Sequence, residues 1–378
     1  MKTFFMNLDS LFFRNNDTAL KYIYEKINAS VEDHTSFLGC IVMEIIPPNQ
    51  VNELIAALKS IKNFLEKKGI NSFRLILMNS YKEYEKDLGI FDVNYFESLG
   101  NLTANGYLKS PEKLNLSWNY RSNKFLVLTG IPHRYNRVRL LYNLYREDLL
   151  TVEKSVWSFF EPFGSHSLQS CRDHLHDVSD ADFKDFMKIA VKKVDDVLVI
   201  GGKFAGQTRY NDFTVDKINY NETCLSIITE TFFQKNHPKF DVSEKTWRTI
   251  LNRHPFLLFG PVNICKHLES LGFKTFREYF PIDYDVIEND KERSEAITYN
   301  LKEFLKNKHT FLNHVLDDID HNYTHFQKMI CKERQIIEKL LTDLNIDQKD
   351  KDSLINTVHY WHFSESDFVQ SLDSKQNS

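Results

Sequence analysis

Apolar positions in the first third of the chain alternate between two rhythms. Residues 37–46 (Phe-Leu-Gly-Cys-Ile-Val-Met-Glu-Ile-Ile) form a short, almost wholly apolar run halted by Pro47-Pro48, which predicts a buried strand. Leu54, Ala57, Leu58, Ile61 and Leu65 then recur at three- and four-residue intervals, the spacing of one helix face, and Gly69 closes that helix. Residues 73–78 predict the next strand and 92–96 a short third one. A strand-helix-strand order implies a parallel sheet, because parallel neighbours need a crossover.

Asn- and Lys-rich sequence over 101–123 lacks either rhythm and predicts a linker. A second cycle follows. Residues 124–130 predict a strand, and Asn136 is placed to cap a helix with Val138, Leu141, Tyr145 and Leu149 on its apolar face. After a polar, His-bearing stretch (160–190) come strands at 197–200 and 224–228, a helix from Glu244, a strand at 256–259 and a helix over 264–271. From Lys291 the chain turns helical, with Phe326, Ile330, Ile337, Leu341 and Leu344 near a 3.6-residue period. The expected architecture is α/β: an N-terminal domain over 1–115, a Rossmann-like domain over 116–290, a helical C-terminal segment over 291–365 and a disordered tail over 366–378.

Composition narrows the partners. The 378 residues carry 48 Lys+Arg against 52 Asp+Glu, a net charge of -4, which gives no basic footprint for nucleic acid. Five scattered cysteines without a C-x-x-C pair predict neither a disulfide framework nor a zinc ribbon. With no signal-peptide core and no stretch of about 20 apolar residues, a cytoplasmic protein without a transmembrane segment is expected.

The segment richest in chemistry is 225–261. Ser243 is a good N-cap, so Glu244 and Lys245 open a helix beyond the end of a strand, where open α/β sheets bind ligands. Unsatisfied N–H groups at a helix start favour a phosphate, Lys245 adds a mobile cation, and a carboxylate such as Glu244 can accept both hydroxyls of a ribose. The same three residues equally make a well-capped helix start with no ligand.

The order of these blocks resembles the nucleotide-sugar-binding domain of fucosyltransferase-type glycosyltransferases, whose two Rossmann domains face a cleft in the GT-B arrangement. It is also similar to glycosyltransferase-like proteins of phages and large viruses. The resemblance covers about 124–285 and runs through the strand 124–129, the Arg137-Val-Arg139 helix start, Glu230, Ser243-Glu244-Lys245, Pro255 and Gly260. It implies a GDP- or UDP-sugar as donor substrate, no required cofactor or metal, and an unidentified glycan, lipid, protein or nucleobase acceptor. By position, Glu244 would hold the ribose, while Lys245 and either Arg137 or Arg139 would meet the diphosphate; Glu230, Ser243 and Gly260 complete the donor-side set. Residues two apart on a helix point about 200° apart, so only one arginine can face the ligand. Arg137, expected at the first helical position, is favoured.

Other residues offer competing chemistry. Glu44, at a predicted strand end, is the candidate base for the acceptor hydroxyl, against a plain charged strand terminus. Asp283-Tyr284-Asp285 has the metal-holding form of GT-A glycosyltransferases, against a solvated loop. His166, His174 and His176 with Asp173 and Asp177 form the densest His/Asp cluster, though with no partner pair at zinc-ligand spacing. Gly201 to Gly206 lacks the Lys-Ser/Thr of a P-loop and predicts a turn. The function expected is metal-independent glycosyl transfer; the alternatives are a non-catalytic binding or scaffold protein keeping the fold, and a metal-dependent GT-A enzyme.

Overall fold

The computed structural model describes residues 3–8, 16–30, 36–41, 51–78, 85–89, 91–96, 124–129, 134–159, 168–191, 220, 222–230 and 242–343. These divide into two compact units, residues 1–109 with 328–378 and residues 110–327. Both are mixed α/β with wholly parallel sheets.

The first unit builds a four-stranded sheet in chain order, β1 (Thr3–Asn7), β2 (Ser36–Ile41), β3 (Ser72–Met78) and β4 (Asp92–Phe96). Helices α1 (Asn16–Ser30) and α2 (Val51–Lys67) make the first two crossovers, and a single turn, α3 (Glu85–Leu88), stands before β4. Ile23 and Ile27 of α1, Leu58, Ile61 and Leu65 of α2, and Phe37, Leu75 and Leu77 of the sheet are all fully buried. Gly39 lies where a Cβ would stand 2.7 Å from the Leu8 side chain and 2.9 Å from that of Leu75, so the absent side chain is what lets β2 sit in this core. Neither β1 nor α1 is anticipated by the reading of the sequence; β3 and β4 fall where expected, and β2 is described only to Ile41. Glu44 and the linker 101–123 lie outside the described residues.

The second unit's sheet has the order β6-β5-β7-β8, from β5 (Lys124–Leu128), β6 (Ser155–Ser158), β7 (Thr223–Thr229) and β8 (Phe256–Phe259). All of β7 and β8 is buried, as parallel strands covered on both faces must be. The chain leaves β5 through α4 (Tyr135–Arg146) to reach β6, then returns to the other side of β5 for β7. That reversal puts the topological switch point between the carboxyl ends of β5 and β7.

Five further helices complete the described chain: α5 (Leu168–His174), α6 (Asp180–Ala190), α7 (Glu244–Leu251), α8 (Ile264–Ser270) and α9 (Asp290–Lys306). A 36-residue helix follows them, α10 (Lys308–Asp343). The stretch 160–190, read from the sequence only as polar and His-bearing, holds α5 and α6. α5 buries only Cys171, whereas α6 buries Phe183, Phe186, Met187 and Ala190 at i, i+3, i+4 and i+7 behind a Ser179 cap, a helical signal the sequence reading passed over. The helical segment from 291 is likewise not a separate body. α9 lies along α4, with Asn143 Nδ2 donating to Ser294 Oγ at 2.9 Å, and Phe326 of α10 stacks on Trp247 at 5.1 Å. Leu340 and Leu341 of α10 instead join the core of the first unit.

Candidate functional site

At the carboxyl end of β7, Glu230 is wholly buried. Both its carboxylate oxygens accept from the Ser243 backbone N–H at 3.2 Å, and Thr246 Oγ1 donates to it at 2.5 Å. Ser243 is the N-cap of α7, its Oγ accepting from the Lys245 N–H at 3.4 Å. The Glu230 carboxyl group thus sits against the positive end of α7 and is hydrogen-bonded there. The Ser243 N–H is taken by Glu230 at the terminus where the sequence reading expects a phosphate. Thr246 is a partner the sequence reading missed; its spacing of 16 residues from Glu230 carries no local signal.

Gly260 follows β8 beside the same carboxylate. A Cβ on it would stand 3.4 Å from Glu230 Cβ and 3.2 Å from the Ile264 side chain, so the glycine makes room where strand end, Glu230 and α8 converge. Lys245 is half-buried on the first turn of α7, while Glu244 opens the helix with its side chain outside the described residues.

The start of α4, at the end of β5, is arranged differently. Its N-cap is Arg134, with no side-chain cap hydrogen bond, so Asn136 is not the cap and Arg137 occupies the third helical position, not the first. The Asn136 side chain instead crosses to β7, Nδ2 donating to the Glu230 carbonyl at 2.9 Å. Arg137 is buried. Arg139, also buried, donates to Asp177 through both terminal nitrogens, at 3.2 and 2.5 Å, and to the His174 carbonyl at 3.0 Å, with its guanidinium over the Tyr135 ring. Asp177 takes a further bond from Lys291 at 2.8 Å. The Arg139 guanidinium, followed by Lys291, holds the Asp177 carboxyl well below the usual carboxylate range despite partial burial. The structure therefore brings Asn136, Arg137, Glu230, Ser243, Lys245 and Gly260 to one sheet edge, and ties Arg139 to the α5–α6 connection and to α9.

Asp283 is exposed but ion-paired, whereas Asp285 is engaged inside the fold. Arg277 donates to Asp283 at 2.9 Å and grips Glu269 with two bonds at 2.7 and 2.9 Å. Asp285 is buried and accepts the backbone N–H groups of Cys265 and Lys266 at 3.0 and 3.1 Å, capping α8; burial pushes its carboxyl above the usual range. Between them, Tyr284 Oη accepts the Leu258 N–H at 3.1 Å. His174 lends its carbonyl to Arg139, and His176 Nδ1 approaches the Asp173 carbonyl at 3.3 Å. Among the described residues no group of three or more His, Cys, Asp or Glu could hold a metal ion. His166 and the stretch 201–206 lie outside the described residues.

Two other features of this unit carry less chemistry than they first offer. A groove of about 370 Å³ along α4 and α9 includes Arg139, Arg146, Lys291 and Lys302 in its lining, but Asp177 takes the first and third of these and Glu147 pairs with Lys302. His254 is buried with Nε2 facing the Thr223 carbonyl at 2.8 Å. A carbonyl only accepts, so Nε2 bears the proton and Nδ1 accepts from Ser226 Oγ at 2.8 Å: a Ser-His pair that braces β7 out of reach of solvent.

No family model matches the chain, and no curated protein matches it. Among solved structures it is similar to the N-terminal domain of Candida albicans trehalose-6-phosphate phosphatase, at 10% identity over 84% of this chain and 75% of that one, with a TM-score of 0.36, too low to carry an argument about fold or function. No helix among the described residues is long and apolar enough to cross a membrane.

Proposed function

We propose that the chain is a glycosyltransferase that moves a sugar from a GDP- or UDP-sugar to an acceptor hydroxyl without a required metal. The observation that supports this reading is the contrast between two helix starts at one switch point. α7 is capped by Ser243 and Glu230, whereas α4, which follows β5, has an arginine-bearing first turn with no side-chain cap. An uncapped helix start with Arg137 beside it suits a diphosphate, with Lys245 across the crevice as the mobile cation. In this reading Arg137 and Lys245 stabilise the leaving diphosphate, Glu244 holds the ribose, and Arg139 fixes the helix through Asp177. Glu230, Ser243 and Gly260 shape the pocket wall. The two α/β units correspond to the acceptor and donor halves of a GT-B enzyme, with Glu44 as the proposed base.

The non-catalytic scaffold reading has one observation of its own, the Glu230 carboxylate filling the terminus of α7. Calorimetry separates the two. Binding of UDP, GDP or their sugars that weakens in Lys245→Ala supports the enzyme, and no binding to the native chain favours the scaffold. Asp283 and Asp285 are committed to Arg277 and α8, so a GT-A metal site has no support from them.

A further inference from the structure

The polar groups at the switch point are paired almost throughout. Thr129 Oγ1 donates to the Ser158 carbonyl, the Glu230 carboxylate is bonded to Ser243 and Thr246, and Asn136 Nδ2 donates to the Glu230 carbonyl. Among the buried side-chain atoms there, Asn136 Oδ1 and Thr229 Oγ1 are the two acceptor oxygens without a hydrogen-bond partner among the described residues, and both residues are fully buried. Both residues adjoin Glu230: the Asn136 amide is tied to its carbonyl, and Thr229 precedes it in the chain. Unpaired buried polar groups are rare because each forfeits its bonds to water, and clustered ones mark places where a ligand or water supplies the partner.

The chemistry of the missing partner follows from the two atoms. The bond from Nδ2 to a carbonyl fixes the sense of the Asn136 amide, so the orphan is an oxygen that can only accept. A phosphate oxygen at neutral pH also only accepts and cannot satisfy it; an O–H or N–H is required. Arg137, next in sequence and buried, disfavours a cationic ammonium there. Thr229 Oγ1 can both give and take a hydrogen bond, which matches a neutral hydroxyl. We infer that Asn136 and Thr229 form a subsite for a hydroxyl of the transferred sugar. The identity of that ligand rests on the function proposed above; the unpaired atoms do not.

Thr229→Val keeps the shape and removes the hydroxyl, and Thr229→Ser restores it. Melting temperature without ligand, and affinity for UDP, GDP, UDP-glucose and GDP-mannose, would be measured for the native chain and both variants. The subsite predicts that Val melts no lower than native, because an unpaired hydroxyl is lost at little expense. It also predicts that Val weakens binding of whichever nucleotide sugar the native chain prefers by roughly three- to tenfold, leaves the bare diphosphate unchanged, and that Ser recovers the loss. A melting temperature several degrees lower in Val, or equal nucleotide-sugar affinity in Val and native, overturns the subsite, the latter outcome meaning that buried water fills it. Binding of UDP or GDP with no gain from the attached sugar also overturns it while leaving the nucleotide reading intact. If no nucleotide binds, that reading fails, and free glucose and mannose decide the subsite alone: a thermal shift in native but not in Val sustains it, and none in native overturns it.

Discussion

Glu230 shows how a single buried carboxylate organises this sheet edge. Its carboxyl group faces the start of α7, and three hydrogen bonds satisfy it, so the residue acts on stability before it acts on any ligand. Glu230→Ala strands the Ser243 N–H and the Thr246 hydroxyl in the interior and should cost about 2–4 kcal/mol, with Glu230→Gln losing less, as read by urea denaturation. The identity of Glu230 as a site residue is legible in the sequence; its role is not, because its partners lie 13 and 16 residues away and only folding brings them back. The same limit hides the pairing of Arg139 with Asp177, 38 residues away. Asp177→Asn leaves the buried Arg139 cation without its counter-charge, a loss of about 3 kcal/mol at neutral pH. Because the folded-state pKa of Asp177 is depressed, the native advantage over Asn is fully present above the unfolded value near 4 and fades as pH falls toward the lower folded value. Stability curves for both proteins from pH 7 to pH 2 check the convergence.

At the scale of elements, the fully apolar strands were legible, whereas β1 and the short β6 were not. Buried parallel strands such as β3, β7 and β8 are continuous apolar runs, and a run of that kind survives any reading frame. Helix starts were harder. Ser243 was found because its side chain and the following acidic residue form a local signal, whereas α4 begins at Arg134, a residue with no capping chemistry, and nearby Asn136 offered a false one. α5 buries only Cys171 and gives no periodic signal, whereas α6 was legible in Phe183, Phe186, Met187 and Ala190 behind the Ser179 cap and was passed over. Trp247 illustrates what binds the elements: fully buried on α7, it is enclosed by Phe273 of the loop after α8 and Phe326 of α10, with ring centroids at 5.2 and 5.1 Å. Trp247→Ala should cost about 3–5 kcal/mol and loosen α7, seen as lowered thermal stability with faster amide exchange along that helix.

Across the whole molecule, the sequence announces two α/β units but hides how its last third is shared between them. α10 keeps one helical period from end to end, and that period does not reveal that Phe326 belongs to one core and Leu341 to the other. The candidate site was legible only as the switch point to which Arg137, Glu230, Ser243 and Lys245 belong; the Asn136 and Thr229 atoms there are marked by no sequence pattern. The central claim, that this edge binds a nucleotide-sugar diphosphate without a metal, is tested most directly by titration calorimetry of GDP- and UDP-sugars in EDTA against the native chain and Lys245→Ala. The account predicts saturable binding to the native chain in EDTA and a loss of about 1.5–3 kcal/mol of binding free energy in Lys245→Ala. No binding to the native chain without added manganese, or equal binding to both proteins, would contradict it.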